Sequence, residues 1–318
     1  RTLSLGSGGI EIEAGAGHVA IGSRTPGQGV PIALTAAQAW TNGCSSPLVV
    51  ENTVAGSSLL TLRGAGGFRL NGSNTISGGV TTASPAPTIY IGHDQALGSG
   101  TMTGEKGVTY VVEDFPVAVA NKFVITTSTS IWSGDGALTL AGAGSTPAVA
   151  IKEWANTTPH VKRTAPLVFS GVWSLKDATS GLNNSGVGPT LHSGANVLIS
   201  GDIRENNAGN ASGSGNNGFG IGFLGAGADL AIYGNNLFGA GAANSTKVAV
   251  DKNAGYNTLS IGGPGGDGAV VTPLGVSALY TNSGRGLFLK ALVDGQIITN
   301  AIVTGASVNN DGGMPIGF

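Results

Sequence analysis

The sequence predicts an all-β chain of the β-solenoid class, and three observations predict it. Apolar residues return in short period-two pairs, each closed within a few positions by glycine, asparagine or serine, so strands must be very short and turns very frequent. Charged residues make up only 10% of the chain while 56 positions are glycine, so the exterior must be Thr, Ser, Asn, Gly and Ala rather than Lys and Glu. The glycines fall short of one residue in three and keep no strict period of three, which excludes collagen. Recurrent Val, Ile, Leu and Phe on one face disfavour disorder over most of the length.

From the amino terminus the pairs run Leu3/Leu5, Ile10/Ile12, Val19/Ile21, Ile32/Leu34, Leu60/Leu62, Phe68/Leu70, Ile89/Ile91, Phe123/Ile125, Leu138/Leu140 and Val149/Ile151. Each pair is expected to point inward and the residue between them outward, two or three pairs making one coil. Pro31 to Trp40, the best helical candidate, has no Lys or Glu for an outer face and reads as strand and turn. Residues 152–164 break the pattern, gathering Lys152, Glu153, His160, Lys162 and Arg163 around Trp154. They read as a projecting loop, a contact patch or a plain solvated excursion. Residues 205–220 have almost no apolar content and read as a flexible loop or a ladder of stacked Asn.

The pairs then resume at Leu230/Ile232, Val248/Val250, Leu259/Ile261 and Leu287/Leu289, with Ile297, Ile298, Ile302 and Val308 beyond. Residues 1–318 are therefore read as one β-solenoid with loop insertions. At roughly 20 to 30 residues per coil and about 4.8 Å between coils, it would form a rod on the order of 50 to 75 Å long.

One stretch carries a resemblance. Leu60-Thr61-Leu62, Gly64, Gly66, Phe68, Leu70, Gly72 and Asn74-Thr75-Ile76-Ser77-Gly78-Gly79 are followed by Ala96-Leu97-Gly98-Ser99-Gly100-Thr101-Met102-Thr103. The stretch resembles the autotransporter-associated β-strand repeat, with a second fragment at Ala137 to Gly144 and looser echoes at Thr2 to Gly17 and Leu259 to Gly268. The resemblance implies a right-handed parallel β-helix, secreted to the bacterial cell surface as an extended passenger scaffold, and it brings no site residues with it.

The formal net charge of -2 and pI near 6.1 supply no field to draw nucleic acid or an anionic membrane. No apolar run approaches the roughly 20 residues of a membrane span, so no membrane insertion of this segment is expected. The single cysteine, Cys44, cannot close an internal disulfide and reads as a small buried hydrophobe beside Trp40. The chain opens at Arg1 inside a strand pattern and closes on the apolar Met314 to Phe318. A piece of a longer precursor is expected, with end-to-end self-association through neighbouring repeats of that precursor or identical copies.

Residues that could carry chemistry are sparse. A glycosidase needs two carboxylates converging across a sugar bond; the candidates are Glu11/Glu13, Glu113/Asp114, isolated Asp94, and Asp202 with Glu205 beside Arg204. Of these only Asp202 and Glu205 are placed to converge, since Glu113 and Asp114 would face opposite sides of a strand. His93-Asp94 and His192-Ser193 are neighbours in sequence, which does not make a triad. Gly262-Gly263-Pro264-Gly265-Gly266-Asp267 fits the GGxGxD calcium pattern once, where a site needs stacked copies, and reads better as a glycine turn. Thr81-Thr82 and Thr126-Thr127-Ser128-Thr129 do not repeat as the Thr-x-Thr array of an ice-binding face. No catalytic, cofactor-binding or metal residue is therefore assigned, and no cofactor is expected.

The expected function is that of a structural or adhesive extracellular rod, not an enzyme. The alternative is a carbohydrate-active enzyme or carbohydrate-binding passenger on the same fold, with cell-surface polysaccharide as partner and Trp132, Trp154, Trp173 or Tyr90 as stacking platforms.

Overall fold

The computed structural model describes residues 1–23, 25, 28–105, 107–125, 130–142, 144–145, 160–161, 165–171, 173–174, 190–201, 203–204, 220–223, 226–233, 247–250, 256–262, 279–282, 287–292, 302–304 and 316–317. Among them there are strands and turns and no helix, and the strand pairs are parallel. The chain divides into two compact units, Arg1–Ala143 and Gly144–Phe318.

In the first unit successive strands are dealt in rotation to three sheets. Leu3–Leu5, Ile32–Leu34, Val54–Gly56 and Thr75–Ile76 form the first sheet. Ile10–Ile12, Gln38–Asn42, Leu60–Arg63, Val80–Ala83, Met102–Gly104 and Phe123–Ile125 lie side by side in the second. Ala20–Ile21, Leu48–Val50, Phe68–Leu70, Thr88–Ile91, Thr109–Val111 and Ile131–Ser133 follow in the third, and Val117–Val119 pairs with Leu138–Leu140 in a fourth. Parallel neighbours need a long crossover, and here the two other strands of the circuit provide it. Pro31 to Trp40 indeed splits into strand Ile32–Leu34, a turn and the start of strand Gln38–Asn42.

Register turns the pairs into columns. Gln38, Leu60, Val80, Met102 and Phe123 stand one beside the next on the second sheet. Successive members of this column are about 20 residues apart. Leu48, Phe68, Ile89, Tyr110 and Trp132 line up in the same way on the third sheet, and both columns are buried. The first circuit, which carries the chain from Ile10 to its partner Trp40, is longer than those that follow. Leu3 and Leu5, expected inward, pair with neighbours on one side only; Leu3 is 44% exposed and Leu5 half-buried.

Glycines of the repeat-like stretch sit where circuits touch. A Cβ on Gly66 would lie 2.0 Å from the Cys44 carbonyl oxygen, and Gly64, at φ +114°, would put one 2.1 Å from that of Asn42. No side chain fits either position without moving backbone.

The core is closed by aromatic rings and by amides. Tyr110 stacks on Trp132 with centroids 4.4 Å apart, and Phe123 meets Tyr110 edge-on at 5.8 Å. Each buried indole N–H donates to a polar side chain two residues earlier on the same face: Trp40 to Gln38 Oε1 at 3.0 Å, Trp132 to Ser130 Oγ at 3.1 Å. Asn74 accepts from the Val54 N–H at 2.7 Å and donates to the Ala96 carbonyl at 2.6 Å. Asn42 donates to the carbonyls of Ser46 and Gly67, and Asn121 to those of Gly98 and Gly100. Buried peptide groups at the corners are thus paired.

The second unit uses longer circuits. Gly144–Ser145, Trp173–Ser174 and Ile203–Arg204 lie side by side in one set of strands. His160–Val161, Thr190–Leu191, Gly220–Phe223, Lys247–Val250, Leu279–Asn282 and Ile302–Thr304 make a second. Leu167–Phe169, Asn196–Ile199, Asp229–Tyr233, Asn257–Gly262, Leu287–Ala291 and Ile316–Gly317 make a third. The inward column of that third set is Leu167, Val197, Leu230, Leu259 and Leu289. Successive members are about 30 residues apart. The loop expected over 152–164 contains the strand His160–Val161, because these residues join the ladder beside Thr190–Leu191. Likewise Gly220, placed at the end of the 205–220 loop, opens a strand paired with Lys247–Val250. The remaining residues of both segments, and Val149/Ile151, lie outside the described residues.

Candidate functional site

Few of the residues weighed for chemistry come together. Glu113 and Asp114 do not face opposite sides of a strand: they follow Thr109–Val111 in an exposed turn, with Asp114 at φ +58°. Glu113 reaches back to Arg69 at 2.7 Å. Glu11 and Glu13 are both exposed, two residues apart on one face of the strand edge. His93 Nδ1 accepts the Gln95 N–H at 3.0 Å and so shapes its own turn, while Asp94 Oδ1 accepts the Ala118 N–H at 2.8 Å and caps the strand Val117–Val119. His192 and Ser193 occupy the turn after Thr190–Leu191. Asp202 and Glu205 lie outside the described residues, as do Gly263 to Asp267; Arg204 ends a strand and Gly262 closes Asn257–Gly262 at φ +115°. Among the described residues no group of three or more His, Cys, Asp or Glu side chains is placed to hold a metal ion.

The stacking platforms of the alternative reading meet different fates. Trp132 is fully buried in the ring cluster and presents no face to a sugar. Tyr90 is half-buried on the outer face of the third sheet, where the Arg69 guanidinium lies 4.5 Å from its ring centroid. A cation on a tyrosine face is favourable, and it leaves that face occupied. Trp154 lies outside the described residues, and Trp173 is a strand residue beside Ile203. Cys44 is buried and free as expected, its thiol 2.6 Å from the Ala16 carbonyl.

Register also builds two outer features that sequence reasoning missed. Thr61, Thr81 and Thr103 form one outward row between Ala39 and Val124. The signal for it is an apolar-Thr dipeptide that recurs once per circuit. Thr82, beside the row, is buried, its Oγ1 accepting the Glu105 N–H. Residues 126–129 lie outside the described residues.

The second feature is in the second unit, where the strand Asn257–Gly262 and its neighbour Leu287–Ala291 place Tyr256 and Phe288 on the outer face. The rings are 59% and 45% exposed, with centroids 5.5 Å apart and planes at 38°. Phe288 belongs to the outward row Asn196, Asp229, Thr258, Phe288, Gly317. Asp229 accepts a hydrogen bond from Ser260 Oγ at 3.1 Å.

One buried group has its titration moved. Tyr110 is wholly buried, its hydroxyl has no hydrogen-bond partner, and desolvation pushes its pKa well above the ordinary phenol value. It is a neutral core ring rather than an acid or base at any working pH.

Comparison with protein-family models, with curated proteins and with solved structures returned no match.

Proposed function

We propose that the chain is a right-handed parallel β-solenoid of the autotransporter-associated repeat type, serving as a structural or adhesive element on the outside of a bacterial cell. The observation that carries this reading is the register. Five successive strands align Leu48, Phe68, Ile89, Tyr110 and Trp132 in one buried column, and five align Gln38, Leu60, Val80, Met102 and Phe123 in another. Stability of that kind is built by stacking and by backbone ladders, and it needs neither disulfide nor metal. The role is mechanical: apolar columns and buried asparagine amides resist unfolding and proteolysis while the sparsely charged exterior meets its surroundings.

The non-catalytic side of the reading is supported by what the acidic groups do. Glu113 pairs with Arg69, Asp94 caps a backbone N–H, and Glu11 and Glu13 stand exposed on one strand edge. The partners in this reading are like circuits, in the same precursor or in identical copies.

Negative-stain microscopy of the natively purified chain tests it: elongated rods or filaments are expected, and compact globules would overturn it. Release of reducing sugar from mixed polysaccharides, abolished by Asp202→Ala, would replace it with a carbohydrate-active enzyme.

A further inference from the structure

The outer face of the second unit carries an arrangement that stacking alone does not require. Tyr256 and Phe288 are large apolar rings left more than two-fifths exposed, although Thr or Ser at those positions would keep the strands just as well. Among the described residues, the sheet neighbours of Phe288 leave its ring uncovered. On one strand the neighbour is Thr258, and on the other it is Gly317, which has no side chain. Tyr256 stands diagonally across from Phe288, within the reach of aromatic side chains on adjacent strands, and the two rings meet at a centroid separation of 5.5 Å.

The row that Phe288 continues is polar and laid out in order, and the outward row beside it, Val168, Leu198, Ala231, Ser260 and Lys290, turns polar toward the rings. Along the Phe288 row, Thr258 supplies a hydroxyl, Asp229 a carboxylate and Asn196 an amide, each one strand further on, about 4.8 Å apart. Lys290, exposed and two residues from Phe288 on the same side of its strand, adds a cation that offsets Asp229. An occupant must therefore offer flat C–H faces for two rings, together with hydroxyls for a row of donors and acceptors, and need carry no charge.

We propose that this face is a glycan platform, taking a neutral pyranose polymer across Tyr256 and Phe288 with its hydroxyls on Thr258, Asp229 and Asn196. A second protein fits less well. Two half-exposed rings supply a small part of the roughly 800 Å² that each side of a stable protein interface buries, and the row that Phe288 continues is polar rather than apolar. A pyranose chain needs only the rings and the row.

The proposal rests on the adhesive reading above and names its ligand. Affinity electrophoresis of the full chain tests it, in gels containing a soluble β-glucan, a mannan, a xylan or an α-glucan. The wild-type chain is expected to be retarded in at least one gel. Tyr256→Ala and Phe288→Ala should each weaken that binding by roughly tenfold or more, with Phe288→Tyr retaining it. Phe115→Ala, which removes a ring 73% exposed in the first unit, should bind as wild type. These are surface positions, so unchanged melting curves should accompany the loss. Retardation in none of the gels overturns the platform, as does retardation that survives the Tyr256→Ala/Phe288→Ala double variant. Concentration-dependent self-association abolished by that double variant also overturns it, by making the face a contact between copies. A rod in the microscope with no glycan bound would sink the platform and leave the adhesive reading standing.

Discussion

The two units run the same parallel scheme on different lengths of chain. A circuit of the first unit, measured along the column from Gln38 to Phe123, takes about 20 residues, whereas one of the second, measured from Leu167 to Leu289, takes about 30. Beyond Gln38 the inward columns are alike, Leu, Val, Met and Phe in one and Leu and Val in the other. The surplus residues of the second unit lie in sequence between its described strands, in stretches such as GNNLFGAGAANST at 234–246 and ENNAGNASGSGNNGF at 205–219. The comparison teaches that two or three inward residues per strand define the circuit, while the chain between strands is free in length. Buried asparagines tie neighbouring circuits in both units, Asn42, Asn74 and Asn121 in the first and Asn257, which accepts the Ala228 N–H at 2.9 Å, in the second.

The sharpest way to break the comparison is to charge the columns. Leu62→Asp places a carboxylate between Trp40 and Thr82 at a position with no exposure, and it should cost several kcal/mol. Arg63→Asp, one residue on and exposed, should stay within about 1 kcal/mol. Leu230→Asp should damage the second unit as Leu62→Asp damages the first. Thermal unfolding of the three variants reads this directly, and equal shifts for Leu62→Asp and Arg63→Asp would contradict the register.

Next in size is the corner amide. Asn74→Ala leaves the Val54 N–H and the Ala96 carbonyl without their partner, which should cost about 2 to 4 kcal/mol in urea unfolding. A loss near zero would mean that the corner amides do not hold the circuits of the first unit in place.

Tyr110→Phe should act in the opposite direction. Its hydroxyl is buried and unpartnered, so removing it should raise stability by about 1 kcal/mol. The pH dependence has a definite sign. Burial raises the folded phenol's pKa, so above about pH 10 the unfolded chain releases a proton that the folded one retains. Stability is therefore lost with rising pH, by up to about 1.4 kcal/mol per unit, and is unaffected below that range. Stability curves at pH 8 and pH 11 should show the slope in wild type and its reduction in Tyr110→Phe.

The smallest effect is expected from shortening a long circuit. Deleting residues 209–214 shortens the link between Ile203–Arg204 and Gly220–Phe223 by less than half, and loop-closure entropy changes by less than about 1 kcal/mol for such a cut. A cooperative loss of the second unit on deletion would show that its circuits are as constrained as those of the first.

How much was legible follows from how each residue advertises itself. Leu60/Leu62, Phe68/Leu70, Ile89/Ile91 and Leu230/Ile232 alternate cleanly, so their strands and inward faces can be read directly, and Arg63 correctly marks the exterior. Sheet membership cannot be read, because it depends on which strand lies one circuit away, and the length of a circuit differs between the two units. Buried asparagines are hidden by their own chemistry: Asn before Gly, as at Asn42, or before Thr, as at Asn74, signals a turn, and only the neighbouring circuit reveals that the amide turns inward. The pair Leu287/Leu289 already sends Phe288 outward, and what stays hidden is the Tyr256 ring beside it, because that meeting depends on which strand lies one circuit away. Trp132 resembles a platform in the sequence because a lone tryptophan between Ile and Ser gives no side, and its partner Ser130 has meaning only once both are known to share a face.

The amide bonds of the first unit all have the same short range. Asn74 joins the circuits on either side of its own, Asn42 reaches the next, Asn52 reaches back to Ser23 and Gln28, and Asn121 to Gly98 and Gly100. The Arg69–Glu113 pair reaches two circuits on, but the amide couplings join adjacent members, which brings the free energy close to a sum over neighbours, as in a one-dimensional chain of spins. Such a unit frays inward from a damaged circuit instead of failing at once, and whole circuits can be duplicated or lost between matching asparagines without rewriting the rest.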